Sequence, residues 1–128
     1  MIIAVDFDGV LNSAPYPETG APIVGAPDAM RRLKADGHHL IIWTCREGAS
    51  QKVAKEWLRR WAIPYDAINA NHPSNVARYN NDCRKIYADL YVDDKQVGGF
   101  MGWAETLMWV RCLVEANSMR DAGREDEL

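Results

Sequence analysis

Residues 2–12 read IIAVDFDGVLN. The apolar run Ile2 to Val5 is short and stops abruptly at charge, which predicts a buried β-strand and not a helix. It ends on Asp6 and Asp8, with Gly9 behind them. One polar residue would carry a strand out of a core. Two carboxylates this close repel each other unless a cation or a chemical task holds them.

Further runs of the same kind occur at 40–43 (LIIW), 65–68 (YDAI) and 90–92 (LYV, with Ile86 as an alternative start). Between them the apolar residues recur with helical period. A first helix is expected from Pro27, which suits the opening position, to Gly37, with Met30 and Leu33 facing the core. A second, from about Ser50, carries Val53, Ala54, Trp57, Leu58 and Trp61 on one stripe and Lys52, Lys55, Arg59 and Arg60 mostly away from it. A last helix, Trp103 to Asn117, presents Trp103, Leu107, Val110, Leu113 and Val114 and is apolar enough to cover Trp109 and Cys112 as well. Strand alternating with helix predicts an α/β fold with a parallel sheet covered on both faces. Two stretches break the rhythm and are expected as loops: 9–26, dense in Gly and Pro, and 69–84, dense in Asn. The expected domain is 1–117, followed by a charged, fraying tail at 118–128 that ends in an acidic cluster.

The totals fit this plan. A chain of 128 residues, 48% apolar and 26% charged, suits one soluble globular domain. A net charge of −3 gives no broad basic surface, so nucleic acid is not a favoured partner. The apolar stretches fall far short of the roughly 20 residues that cross a bilayer, and the N-terminus lacks the features of a secretory signal, so no membrane association and a cytoplasmic location are expected. Cys45, Cys83 and Cys112 have neither zinc-ligand nor disulfide-framework spacing. Gln51 stands where a phosphocysteine loop would need Arg, and Cys45 is expected as a packed thiol. The tryptophans fall mainly on helical stripes, which favours core or a homo-oligomer contact over base stacking.

In a parallel sheet the loops leaving the strand C-termini share one edge, where ligands bind. Asp6, Asp8, Thr44, Asp93 and Asp94 all map to that edge. Lys85, just before the last strand, is expected to fold back to it. Carboxylates with a hydroxyl and an ammonium suit Mg²⁺ and a phosphate: Asp6 and Asp93 offer the hard oxygens the ion prefers. Thr44 and Lys85 would hold phosphoryl oxygens, and Asp8 would serve as general acid. Arg46 either touches substrate or is a solvated loop arginine. Asp89 reads as structural, and His38, His39 and His72 as inert.

DFDGVLN resembles the first signature of the haloacid dehalogenase (HAD) superfamily of phosphohydrolases. IIWTCR, Lys85 and LYVDD resemble its second, third and fourth, in the right order, so the resemblance covers residues 1 to about 100. It implies a three-layer, Rossmann-like HAD fold and hydrolysis of a phosphate monoester. Asp6 would be the nucleophile that becomes an aspartyl-phosphate, Asp8 the acid/base, and Thr44 and Lys85 the phosphate holders. Mg²⁺ would bind the Asp6 carboxylate, the Asp8 backbone carbonyl and Asp93, with Asp94 helping directly or through water. The Asp two residues after the nucleophile is the mark of the family's phosphatases. Val10 departs from the Thr many members carry. Neither insertion point leaves room for a cap domain, so an open site would admit a small phosphoester or an exposed phosphate on a macromolecule. Two other readings stay open: a receiver-like phospho-accepting switch, whose order of acidic pair, acceptor and Lys differs from this one, and a non-catalytic HAD-fold binding subunit.

Overall fold

The computed structural model describes residues 1–127, with side chains described through Gly123. The chain runs β1 (Ile2–Val5), α1 (Ala26–Ala35), β2 (His39–Ile42), α2 (Gly48–Arg60), β3 (Ala67–Ile68), α3 (Pro73–Tyr79), β4 (Leu90–Val92) and α4 (Trp103–Glu127). All strand pairs are parallel, in the order β3-β2-β1-β4. The expected α/β class is therefore present, with β2 starting one residue early and β3 reduced to its last two positions.

Topology follows from handedness. The crossovers β1-α1-β2 and β2-α2-β3 step in one direction, and right-handed connections then put both helices on the same face. There Ile3, Val5, Leu40 and Ile42 form one core with Met30, Leu33, Trp57, Leu58, Trp103 and Val110 from α1, α2 and α4. The connection from β3 to β4 steps back past β1, so it covers the opposite face. Ile86 and Ala88 are buried along it, the Tyr91 hydroxyl donates to Ile86 O, and His72 at the start of α3 stacks on His39 with ring centroids 4.4 Å apart. Both faces are covered, but unequally.

Three expectations need correction. The Asn-rich stretch contains α3: Pro73 opens it and the His72 imidazole caps it by accepting from Ser74 N–H. It carries no buried residue, hence no apolar stripe to betray it. Helix α4 continues past Asn117 to Glu127, so 118–127 is helical and not a frayed tail; the acidic cluster closing the sequence lies outside the residues whose side chains are described. Trp109 and Cys112 are exposed, because α1 meets only the face of α4 carrying Trp103, Leu107 and Val110. Among the described residues no helix is long and apolar enough to cross a membrane.

Candidate active site

Strand β1 lies between β2 and β4, at the point where the chain's direction of progress across the sheet reverses. The crevice beyond the strand C-termini opens there. Asp6 leaves β1 with its N–H bonded to Val92 O, which ties it beside Asp93 and Asp94. One carboxylate oxygen from each of Asp6, Asp93 and Asp94 lies within 4.8 Å of the others. The adjoining cleft, of about 440 Å³, is lined by Asp6, Asp8, Thr44, Cys45, Asp94 and Lys95 among others.

Each acid is aimed by the backbone. Asp6 Oδ1 accepts from Phe7 N–H at 2.9 Å, and Asp93 Oδ1 accepts from Lys95 N–H at 2.8 Å. Asp94 packs onto Gly9: a Cβ at residue 9 would sit 2.1 Å from Asp94 Oδ2, and Gly9 has φ +83°. Only glycine meets both conditions. Asp94 Oδ1 is buried and makes no hydrogen bond among the described residues. A buried anionic oxygen without a donor is costly. The trio therefore fits a hard divalent cation, whose charge would satisfy that oxygen.

Burial, a hydrogen-bonding contact with Asp94 and the charges of Asp93 and Asp94 push Asp6 up to about 8 from an ordinary 3.8. The folded chain thus holds a proton on Asp6 that the unfolded chain releases near 3.8, so its contribution to stability is full below that value and is lost as pH rises through about 8. His38 and His39, both lowered chiefly by burial, work in the opposite sense. The comparison with Asp6→Asn isolates the aspartate. In EDTA, the melting temperature of the native chain should fall relative to that variant between about pH 5 and about pH 8, and Mg²⁺ should recover more of it at the alkaline end. Identical pH profiles for the two proteins would remove the crowding argument.

Asp8 is held differently. Arg46 Nε donates to its Oδ2 and Arg46 Nη2 to its Oδ1, both at 2.8 Å, and Asn12 Nδ2 adds a bond of 3.2 Å to Oδ1. The Arg46 side chain is only 1% exposed, lies against the Phe7 and Tyr16 rings, and also donates to Glu18 O and Ser50 O. Hydrogen bonding to Asp8 pushes its guanidinium above the ordinary value. The expectation of Arg46 as a substrate contact is thus corrected: it lies behind Asp8 and orients it, and the fork-to-fork geometry explains the residue type.

Thr44 arrives from β2 as expected. Its backbone is clamped by Asn69, whose Oδ1 accepts from Thr44 N–H and whose Nδ2 donates to Thr44 O. Its Oγ1 accepts from Arg46 N–H, so the hydroxyl proton is left for another acceptor. Lys85 does not reach the cleft. Asn71 binds Cys83 O and Tyr87 N–H, fixing this segment over the sheet face, and Lys85 Nζ ends 5.4 Å from the Tyr91 ring on edge strand β4. Lys95, next to the acidic pair, is the lysine that lines the cleft. Cys45 is exposed on the cleft wall and not packed. Asp89 is structural, as read from sequence: it accepts from Ile2 N–H and the Tyr87 hydroxyl.

Sequence reasoning missed Asn12, Asn69 and Lys95. Asn12 is fully buried and is the hub of the 9–26 loop, donating to Asp8, Ala14 O and Glu18 O and accepting from Ala14 and Gly20 N–H. Two indoles pin the same loop, Trp57 to Gly20 O and Trp103 to Val10 O. A turn-rich segment containing one Asn beside the acids was the available signal for Asn12. Lys95 had the signal of adjacency to Asp93-Asp94.

Sheet and cleft together define an α/β protein of Rossmann-like architecture, with an acid-lined crevice at the C-terminal edge of its central strands. No protein-family model and no curated protein matches the chain. It is similar to a conserved protein from Bacteroides thetaiotaomicron of solved structure, with 35% sequence identity, a TM-score of 0.78, and an alignment covering 87% of this chain and 89% of that one. The chain belongs to the same family as that Bacteroides protein.

Proposed function

We propose that this chain is a Mg²⁺-dependent phosphohydrolase of the HAD type, cleaving a phosphate monoester through an aspartyl-phosphate on Asp6. The observation that carries the reading is the meeting of Asp6, Asp93 and Asp94 oxygens within 4.8 Å beside Asp8 and Thr44. Asp6, Asp93 and Asp94, with the Asp8 carbonyl, would hold the ion. When bound, Mg²⁺ supplies positive charge that lets an anionic ester approach an anionic nucleophile.

The chain's own groups supply the rest. Phe7 N–H takes up one lone pair of Asp6 Oδ1 and leaves Oδ2 for attack on phosphorus. As the Asp6 O–P bond forms, the ester O–P bond breaks and the leaving oxygen takes a proton from Asp8. Among the described residues Asp8 Oδ2 accepts only from Arg46 Nε, whereas Oδ1 serves both Arg46 and Asn12, so Oδ2 is the oxygen that carries the proton. Asp8 then accepts a proton from the water that attacks phosphorus, and phosphate departs with Asp6 regenerated. The Thr44 hydroxyl donates to a phosphoryl oxygen, and Lys95 offers the ammonium on the cleft wall.

A cleft of about 440 Å³ fits a phosphate with a small organic group. Its lack of a cap among the described residues also admits a phosphate on a larger molecule. With a net charge of −3, a small phosphoester is the better fit than a nucleic acid. The test is release of 4-nitrophenol from 4-nitrophenyl phosphate: hydrolysis with Mg²⁺, none in EDTA, recovery on adding Mg²⁺ back. No turnover there or on a panel of phosphorylated metabolites overturns the proposal. A stoichiometric phosphoryl label retained without continuous phosphate release would favour a receiver-like switch.

A further inference from the structure

Helix α4 has one face packed and one bare. Trp103, Thr106 and Val110 are buried and Leu107 and Leu113 half-buried toward the domain, while Met108, Trp109 and Met119 are 64%, 54% and 75% exposed and Cys112 is exposed beside them. From Val114 to Gly123 every residue is exposed, yet the backbone stays helical. A helix without tertiary support is marginal in water, and large apolar side chains lined up on it mark a contact surface.

The charges on that face say what covers it. At 100° per residue, Arg111 and Glu115 lie on one flank of the Met108, Cys112, Met119 stripe, and Glu105 and Arg120 on the other. In an antiparallel two-fold pair of helices each flank faces the same flank of the second copy, with the order of residues reversed. If the two-fold axis passes between Cys112 and Leu113, Glu105 meets Arg120 of the second copy and Arg111 meets its Glu115. In that same register Trp109 lies against the small Ala116, and the two Cys112 side chains are neighbours at the axis. One centre satisfies both charge pairs and the large-to-small pair.

We propose that the occupant is a second copy of this chain, docked through α4 in this antiparallel register. The domains then project to opposite sides of the helix pair. The proposal stands independently of the phosphohydrolase reading.

Sedimentation of the full chain from micromolar to millimolar concentration should show a mass approaching twice 14.5 kDa. Trp109→Glu should return it to the monomer with the domain's thermal transition kept and some helical circular dichroism lost from the unsupported end of α4. Glu105→Arg and Arg120→Glu should each weaken the dimer at least tenfold, and the two together should restore it. Mild oxidation should link the copies through Cys112 when Cys45 and Cys83 are serine, and not in Cys112→Ser. A monomer at every concentration overturns the proposal. So does a dimer indifferent to Trp109→Glu, one not restored by the double charge swap, or one that Cys112 does not cross-link.

Discussion

Asp6→Asn is expected to lower phosphate-ester turnover by roughly three orders of magnitude or more, the scale seen when a covalent nucleophile is removed. The change is nearly isosteric, and it deletes a negative charge from a place where three carboxylates crowd. The variant should therefore melt higher than the native chain in EDTA at about pH 8, where crowding is worst. Loss of activity with a gain in metal-free stability separates a chemical role from a folding defect. Stopped-flow or steady-state release of 4-nitrophenol, run beside thermal melts, reads both. Turnover at the native rate would reject Asp6 as nucleophile while leaving the fold untouched.

Gly9→Ala should be the most damaging change that removes no functional group. The new Cβ would stand 2.1 Å from Asp94 Oδ2, so Asp94 must move, and the backbone at φ +83° becomes strained as well. The expected cost is about 10- to 100-fold in apparent Mg²⁺ affinity, the usual penalty for disturbing a group that orients a metal site, with about 1–3 kcal/mol of stability from the strain. Gly37→Ala is the matched control, because Gly37 has φ +89° but open space where its Cβ would go. It should lose stability and keep the native Mg²⁺ dependence. The measurement is activity as a function of Mg²⁺ concentration. Native-like activation in Gly9→Ala would show that Asp94 does not need its present position.

The site's skeleton was legible because it sits on the sheet. Apolar runs bounded by acids locate strand ends, and parallel strand ends share an edge, so Asp6, Asp8, Thr44, Asp93 and Asp94 could be placed together from spacing alone. What surrounds them was not legible, because loop side chains find their partners by long-range geometry that no periodicity records. Arg46 looked like either a substrate contact or a solvated loop arginine, yet it is buried behind Asp8. Lys85 looked close to the edge, but Asn71 fastens the preceding segment across the sheet face and turns it away. Helix α3 has no apolar stripe, and α4 stays helical where its sequence is merely polar. The exposure of Trp109 and Cys112 could not be read from an apolar helix that packs along one face, against α1.

The position of β1 has a consequence for how the chain is made. It leaves the ribosome before both of its neighbours, and its two sheet edges are completed by strands from very different points: β2 soon after, β4 only once Leu90 to Val92 has been synthesised. Until then the β4-side edge of a fully apolar strand lies open, a template for wrong pairing with other chains. The strand that brings the acids together is thus also the one most in need of protection during biosynthesis, and its register cannot be sealed before β4 has been made.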